Sequence, residues 1–292
     1  MKEKSRIPQG ASPTDLQTAK HNLAQLYHNP YYSWIPTGYP ALDNLTGGLV
    51  RGGLTVIGTR PAMGGTSFAL NLASRLSRQM EGSIAIISPA HTNAEITIRL
   101  MQIGMDMDAG CLLDGSLSPA ETANRCSDFF LSQKCNTKIF SVTQLTLDDI
   151  EWFCENIPDL CLVIVDSPEC IQEPMLFYGD NVQLPTRVPM VKVIPELKNL
   201  ARLFDVPVVC TVYMPRSMER RKNKRPRLED LERVGVLPEL ADVALFLYRN
   251  DYYYFESDDP AECIVAKTCY GHTGTVLFRW DRNSGRFEEY ES

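Results

Sequence analysis

No apolar run in this 292-residue sequence approaches the ~20 residues that cross a bilayer, so no membrane-spanning helix is expected. The opening, MKEKSRIPQG, has basic residues but lacks an apolar stretch, which argues against a signal peptide. Cysteines number nine, an odd count, and none stands in a C-x-x-C pair. That pattern excludes a disulfide framework and a structural zinc site, and points to reduced thiols in a cytoplasm. The four histidines offer no metal-ligand spacing. Internal repeats and long low-complexity segments are also missing. Excess positive charge is lacking too: the formal net charge is −7, so bulk charge gives no support to nucleic-acid binding.

Positive charge is instead concentrated in one stretch, RSMERRKNKRPR. It holds Arg216, Arg220, Arg221, Lys222, Lys224, Arg225 and Arg227. Two readings stay open: a solvated loop, or a local phosphate-binding cluster on an otherwise acidic protein.

Residues 12–28 have helical spacing. Ser12 suits the cap, Pro13 the first helical position, and Asp15 sits three after the cap. Leu16, Ala19, Leu23 and Leu26 share one face. The following NPYYSWIPTGYP breaks the helix. Residues 1–32 therefore read as an N-terminal helical arm and 33–292 as the main domain. A lone helix of this length is marginal in water, so its apolar face needs its own domain or a neighbouring subunit.

From Leu54 the chain alternates short apolar runs with helical segments. The runs are LTVIG (54–58), SIAIIS (83–88), KIFSV (138–142), LCLVIVD (160–166) and VPVVCTV (206–212). Most lack polar alternation, as strands covered on both faces do. Ser118-Pro119 with Glu121, and Thr146 with Asp149, read as helix caps. The alternation predicts an α/β fold, a mostly parallel sheet flanked by helices. After residue 240 the pattern changes to DVALFLYR, ECIVAK and TVLFRW, which predicts an antiparallel C-terminal extension at the sheet edge.

One turn carries chemistry. GTRPAMGGTS (58–67) follows the run LTVI and opens a helical segment. It is close to the phosphate-binding pattern G-x-x-x-x-G-K-[ST], with Gly58, Gly64 and Thr66 taken as its glycines and hydroxyl, and Gly65 at the lysine position. A strand–turn–helix presents backbone N–H groups at a helix N-terminus, where anions bind. Phe68, Leu72 and Leu76 are placed to pack that helix on the sheet. Gly65 supplies no point charge for the β- and γ-phosphates. The run LCLVIVD ends in Asp166, the form of a strand whose carboxylate meets a Mg²⁺-bound water. Thr66 and Asp166 are the candidate metal ligands. Each signal also has an ordinary structural reading, as a glycine-rich turn and as a capping aspartate.

In order along the chain, IPTGYPALDNLTGGL, GTRPAMGGTSFALNLA, LVIVD, DVPVVCTVYMPRSMERRKNKRP, DLERVGVLPELADVALFLYRND and AKTCYGHTGTVLFRWDRNSGRFEEY resemble the motifs of one family. The chain from about Ser33 to Tyr290 is similar to the RecA-like motor domain of DnaB-type replicative DNA helicases. No counterpart of that family's N-terminal helical domain is read here, and the arm at 12–28 resembles its linker helix, which packs on the adjacent subunit. The resemblance implies a homo-oligomeric, hexameric ring that hydrolyses ATP with Mg²⁺ and translocates on single-stranded DNA.

Position by position, the resemblance implies a mixed site. Gly58, Arg60, Pro61, Met63, Gly64, Gly65, Thr66 and Ser67 match its nucleotide loop, Asp166 its acidic strand end, and Lys267 a lysine that reaches a neighbour's phosphates. Four positions depart. Gly65 replaces the lysine, Ala90 the glutamate that activates water, Cys269 the arginine finger, and Tyr213 a glutamine that reads the γ-phosphate. Glu95 and His91 lie near the lost glutamate as substitutes. The span 172–188, placed like a channel loop, holds only Arg187; Arg216, Arg220, Arg221, Lys222, Lys224 and Arg225 are the other candidate DNA contacts.

Losing a general base costs about 10²–10⁴ in rate. An arginine finger is worth about 10³–10⁵. The favoured expectation is a hydrolysis-impaired, non-motor relative acting in DNA replication, holding ATP or ADP weakly or not at all. The alternatives are an active ATP-dependent helicase with 5′–3′ translocation, and an accessory or antagonist protein docking on a DnaB-type helicase ring.

Overall fold

A computed structural model describes residues 34–108, 111, 117–178, 181–183, 185–254 and 259–290. The arm expected at 12–28 lies outside them. Among the described residues no helix is long and apolar enough to cross a membrane.

The chain begins with a short antiparallel pair, β1 (Trp34–Ile35) and β2 (Leu49–Val50), around helix α1 (Pro40–Thr46). Then come β3 (Leu54–Thr59), α2 (Gly65–Gln79), β4 (Gly82–Ile87), α3 (Asn93–Met105), α4 (Pro119–Leu131), β5 (Cys135–Phe140), α5 (Leu147–Glu155) and β6 (Leu160–Val165). A small hairpin, β7 (Leu176–Tyr178) and β8 (Asn181–Gln183), precedes α6 (Met190–Phe204), β9 (Val208–Tyr213) and α7 (Leu228–Glu232). The chain closes with β10 (Val243–Tyr248), β11 (Ala261–Thr268), β12 (Gly274–Asp281) and β13 (Arg286–Glu289).

Nine strands form the main sheet in the order β13-β12-β11-β10-β3-β9-β6-β4-β5. From β10 to β5 every neighbour is parallel, and from β10 to β13 every neighbour is antiparallel. The antiparallel extension thus begins at β11. Strand β10 belongs to both parts: its register runs parallel to Thr55–Gly58 on one side and antiparallel to β11 on the other.

The apolar runs lack alternation because both faces are covered. Ile84 and Ile86 of β4, with Leu162 and Ile164 of β6, pack in one core with α2 and α3. Ala85 and Ile87, with Val163 and Val165, pack in the other with α5 and α6. Both expected caps are capping boxes, Ser118 with Glu121 and Thr146 with Asp149. A third, Thr92 with Glu95, starts α3.

Helix α2 is fixed at both ends of the molecule. Phe68 stacks on Tyr39 and meets Phe278 and Phe287 edge-on, with ring centroids 5.2–5.8 Å away. Asn71 adds a polar clamp. Its Nδ2 donates to the carbonyls of Ser67 and Gly285, both at 2.8 Å, and its Oδ1 accepts from the Phe287 N–H at 3.1 Å. The Tyr39 hydroxyl donates to the Phe287 carbonyl at 2.9 Å. Asn71 is buried, so removing its amide strands groups on both segments. Asn71→Ala is expected to cost about 2–3 kcal/mol in chemical denaturation, since each stranded buried group costs about 1–3 kcal/mol.

Candidate functional site

In open α/β sheets, ligands sit at the carboxyl ends of parallel strands. Here the ends of β3, β9, β6 and β4 bring together Thr59, Thr211, Tyr213, Asp166 and His91 around the loop that leads into α2. With Arg60, Ala62, Gly64, Gly65, Thr66, Ser67, Arg99 and Trp280, they line a cleft of about 260 Å³. A wider groove of about 680 Å³ between α5 and α6 is lined by Leu147, Glu151, Leu200 and their neighbours, and no glycine loop faces it.

Asp166 directly follows β6 and is 4 % exposed. Its Oδ1 accepts from the Thr66 hydroxyl at 3.1 Å and the Thr211 hydroxyl at 2.5 Å. The two signals that lie 100 residues apart in sequence are therefore in contact. Asp166 Oδ2 is buried with no hydrogen-bond partner. An orphaned buried carboxylate oxygen is costly unless a proton, water or cation meets it. Thr66 and Asp166 thus fit a Mg²⁺ ion, which when bound would shield phosphate charge.

The loop itself is held by its own chain. Gly64 adopts φ 96°, the left-handed region, and starts α2. Met63 is fully buried and Pro61 exposed, and neither lines the cleft. Arg60 lines it, yet its Nε donates to Glu219 at 2.9 Å and its Nη1 to the Met214 carbonyl at 2.8 Å. Gly58 lies inside β3 away from the cleft, where a Cβ would fall 2.7 Å from Met214 Sδ and Phe246 Cδ1. Its glycine is a packing requirement. Counted back from Gly64, the first glycine of the phosphate pattern falls on Thr59, one residue later than the sequence reading placed it.

Thr59 also explains Gly65. A Cβ built at Gly65 lies 2.4 Å from Thr59 Cγ2. Thr59 is 2 % exposed and its hydroxyl donates to the Arg60 carbonyl at 3.0 Å, so its methyl has little freedom to turn away. The space a lysine stem needs is filled by a methyl group.

The remaining expected positions divide. Tyr213 is at the cleft, half-exposed, with its N–H donated to Glu169 Oε1 at 2.6 Å. Burial pushes the Glu169 carboxyl above its usual range, partly offset by that N–H. Burial, and then the Asp166 and Glu169 charges, raise the Tyr213 phenol. Ala90 is exposed and outside the cleft lining. Glu95 is occupied by the α3 cap: its Oε2 accepts from the Thr92 N–H at 2.8 Å and the Thr92 hydroxyl at 3.0 Å. His91 does enter, with Nδ1 3.6 Å from Asp166 Oδ2 and 3.2 Å from Ser88 Oγ. Lys267 donates to the carbonyls of Pro238, Glu239 and Ala241, at 2.6–3.3 Å. Cys269 is exposed.

Arg99 and Trp280 were not legible as site residues. Helix α3 carries Arg99 into the cleft lining, and β12 carries Trp280 there. The helical spacing of 93–105 held the only hint for Arg99.

Of the basic stretch, Arg221 pairs with Asp230 at 2.7 Å, and Arg225 forms an ion pair with Glu262. Lys224 lies over the rings of Tyr253 and Tyr254. Arg216, Arg220, Lys222 and Arg227 are exposed, as is Arg187.

Positions 59 and 65 should behave as one unit. Gly65→Ala is expected to destabilise by about 1–3 kcal/mol through overpacking. In Thr59→Ala/Gly65→Ala the cost should be smaller than the sum of the single changes, with a coupling of about 1–2 kcal/mol in a double-mutant cycle of thermal unfolding.

The DnaB-like helicase C terminal domain family model matches residues 34–289. The replicative DNA helicase DnaB of Geobacillus stearothermophilus is 28% identical over 285 residues, covering 95% of this chain and 62% of that protein. The replicative DNA helicase DnaC of Bacillus subtilis is 27% identical, covering 98% and 64%. The chain thus spans less than two thirds of the length of these curated relatives. Among solved structures, the ATPase domain of G40P superposes with a TM-score of 0.81 at 26% identity, covering 96% of this chain and 100% of that one. A DnaB-like replicative helicase, solved with its interactions with primase, gives 0.77 at 25% identity, covering 96% and 68%. With the mostly parallel sheet and the loop at its carboxyl end, these matches establish that the chain belongs to the DnaB-like helicase C-terminal domain family and has its RecA-like fold.

Proposed function

We propose that this domain binds nucleotide phosphates at the α2 N-terminus but does not hydrolyse ATP at a motor's rate, and that it serves DNA replication as a non-motor relative of the ring helicases. The observation that carries this reading is the closed position 65. The loop geometry, the Thr66–Asp166 contact and the orphaned Asp166 oxygen support ATP or ADP with Mg²⁺. The lysine charge has no room, and no carboxylate stands at Ala90. Phosphoryl transfer depends on positioning and charge stabilisation, so these losses fall on the chemistry more than on binding.

Backbone N–H groups at the α2 start, with Arg99, would hold the phosphate charge, since the Arg60 guanidinium is taken by Glu219 and the Met214 carbonyl. Lys267, which the family resemblance directs to a neighbour's phosphates, caps the 238–241 turn of its own chain. A ring with the family's geometry would need that ammonium released. The proposed partners are therefore further copies of this chain or a DnaB-type helicase, with single-stranded DNA as the polymer ligand.

DNA contact on this reading falls to the exposed cations Arg220, Lys222 and Arg227, with Arg187, and to Arg216, whose guanidinium has Glu219 at 3.9 Å. Arg221 and Arg225 are neutralised by their carboxylates.

Purified protein with ATP, Mg²⁺ and single-stranded DNA is expected to show turnover about 10³-fold or more below a competent ring ATPase, the scale of a lost arginine finger. Robust turnover that Asp166→Asn abolishes would overturn this reading, and strand separation of a forked duplex with ATP would establish the active-helicase alternative. Binding to single-stranded DNA should weaken steeply with salt, and Arg220→Ala/Lys222→Ala is expected to lower the log–log salt slope by about 1.4. A slope unchanged by both substitutions would remove that surface from the reading.

A further inference from the structure

Helices α5 and α6 pack on the same face of the sheet. Ile150 and Cys154 of α5, with Val193, Ile194, Leu197 and Ala201 of α6, fill the core there. Leu203 stands outside that set. It is 61 % exposed and lines the groove of about 680 Å³ between the two helices. Leu147 and Leu200 give the same groove an apolar floor. A single exposed leucine is ordinary on a protein surface. Here Glu196, Asn199, Leu200 and Leu203 fall at i, i+3, i+4 and i+7 of α6, so the leucines form one stripe inside a concave surface. Trp152, 58 % exposed, lies one turn beyond Asp148 on α5 and adds an aromatic face.

The rim carries charge of one sign. Asp148, Glu151 and Glu196, all exposed, line the groove against one guanidinium, Arg202. Among the described residues no ion pair involves any of these three carboxylates. Glu196 Oε2 accepts from Asn199 Nδ2 at 3.4 Å. Unpaired like charges around an apolar floor favour a partner that brings cations to the rim and apolar side chains to the floor. A groove between helices receives a further helix, whose anchors recur at i, i+3, i+4 and i+7.

We propose that the α5–α6 groove is a docking surface for a cationic amphipathic helix of another protein. Its apolar anchors seat on Leu147, Leu200 and Leu203, and its lysines or arginines face Asp148, Glu151 and Glu196. This chain's own stretch 12–28 does not match, because Lys20 and Asp15 cancel and bring no net positive charge to the rim. The groove shares no lining residue with the nucleotide cleft, so the inference stands apart from the proposed function.

The test uses the full chain, without nucleotide, and a fluorescein-labelled peptide with leucine on one helical face and lysine on the other, followed by fluorescence anisotropy. The control peptides are a scramble of the same composition with no apolar face, and residues 12–28. One peptide per chain is expected to bind, about tenfold or more tighter than the scramble. Leu203→Glu is the deciding variant: it adds a negative charge yet is expected to weaken binding about tenfold, the loss of one interface anchor. Glu151→Lys/Glu196→Lys should weaken binding as well, whereas Glu229→Lys/Glu232→Lys, the same charge change on α7, should leave it unchanged. All five positions are exposed, so the core is spared. Equal binding of the scramble, binding maintained or tightened by Leu203→Glu, or an equal loss from the α7 reversal would reduce the attraction to net charge and overturn the proposal. Tighter binding of residues 12–28 than of the leucine–lysine peptide, lost in Leu203→Glu, would give the groove to the chain's own arm and overturn the outside partner.

Discussion

The Asp166 carboxylate is the point on which the site's geometry turns. It stands at the end of β6, between β9 and β4, and one oxygen gathers hydroxyls from α2 and β9. Those two contacts fix the first turn of α2 against the sheet, and with it the backbone donors of the phosphate loop. A buried charge is tolerable only when its lone pairs are met. Thr66 and Thr211 meet one side, and the other side defines a place for a ligand. The aromatic cluster beneath α2 and the Asn71 clamp hold the helix from its far face, so the loop is positioned from both sides.

Much of this was legible in the chain because burial on both faces leaves a mark on composition. The runs at β3, β4, β6 and β9 are apolar throughout and were readable to within two residues. Strand β5 was harder: it starts at Cys135 with Asn136, Thr137 and Lys138, since an edge strand faces solvent and carries polar residues. Strand β13, RFEE, left no mark in the apolar pattern and was reached only through the family resemblance, because only pairing with β12 makes it a strand. Capping boxes were readable from three-residue spacing, which is local chemistry. His91's approach to Asp166 was not, because it depends on β4 lying beside β6, a neighbour relation that crosses more than seventy residues.

The basic stretch shows the same divide between composition and placement. Seven cations in twelve residues read as one surface. In the fold, Asp230 and Glu262 approach from α7 and β11 and neutralise two of them, and the aromatic rings of Tyr253 and Tyr254 take a third. Such pairs anchor the loop more than they stabilise it, since partly exposed ion pairs contribute about 0–1 kcal/mol. A polyanion would therefore meet a smaller and better-ordered patch than the sequence alone implies.

The glycine at position 65 and the threonine at position 59 bear on one another. A loop with a lysine at position 65 would send an ammonium toward the same phosphates that a cation at Asp166 neutralises. With Thr59 filling the lysine's space, that positive charge has to come from elsewhere or go unsupplied. A bound divalent ion is the larger local charge in any such site. Thr59 and Gly65 therefore act as one packing unit where β3 meets the start of α2.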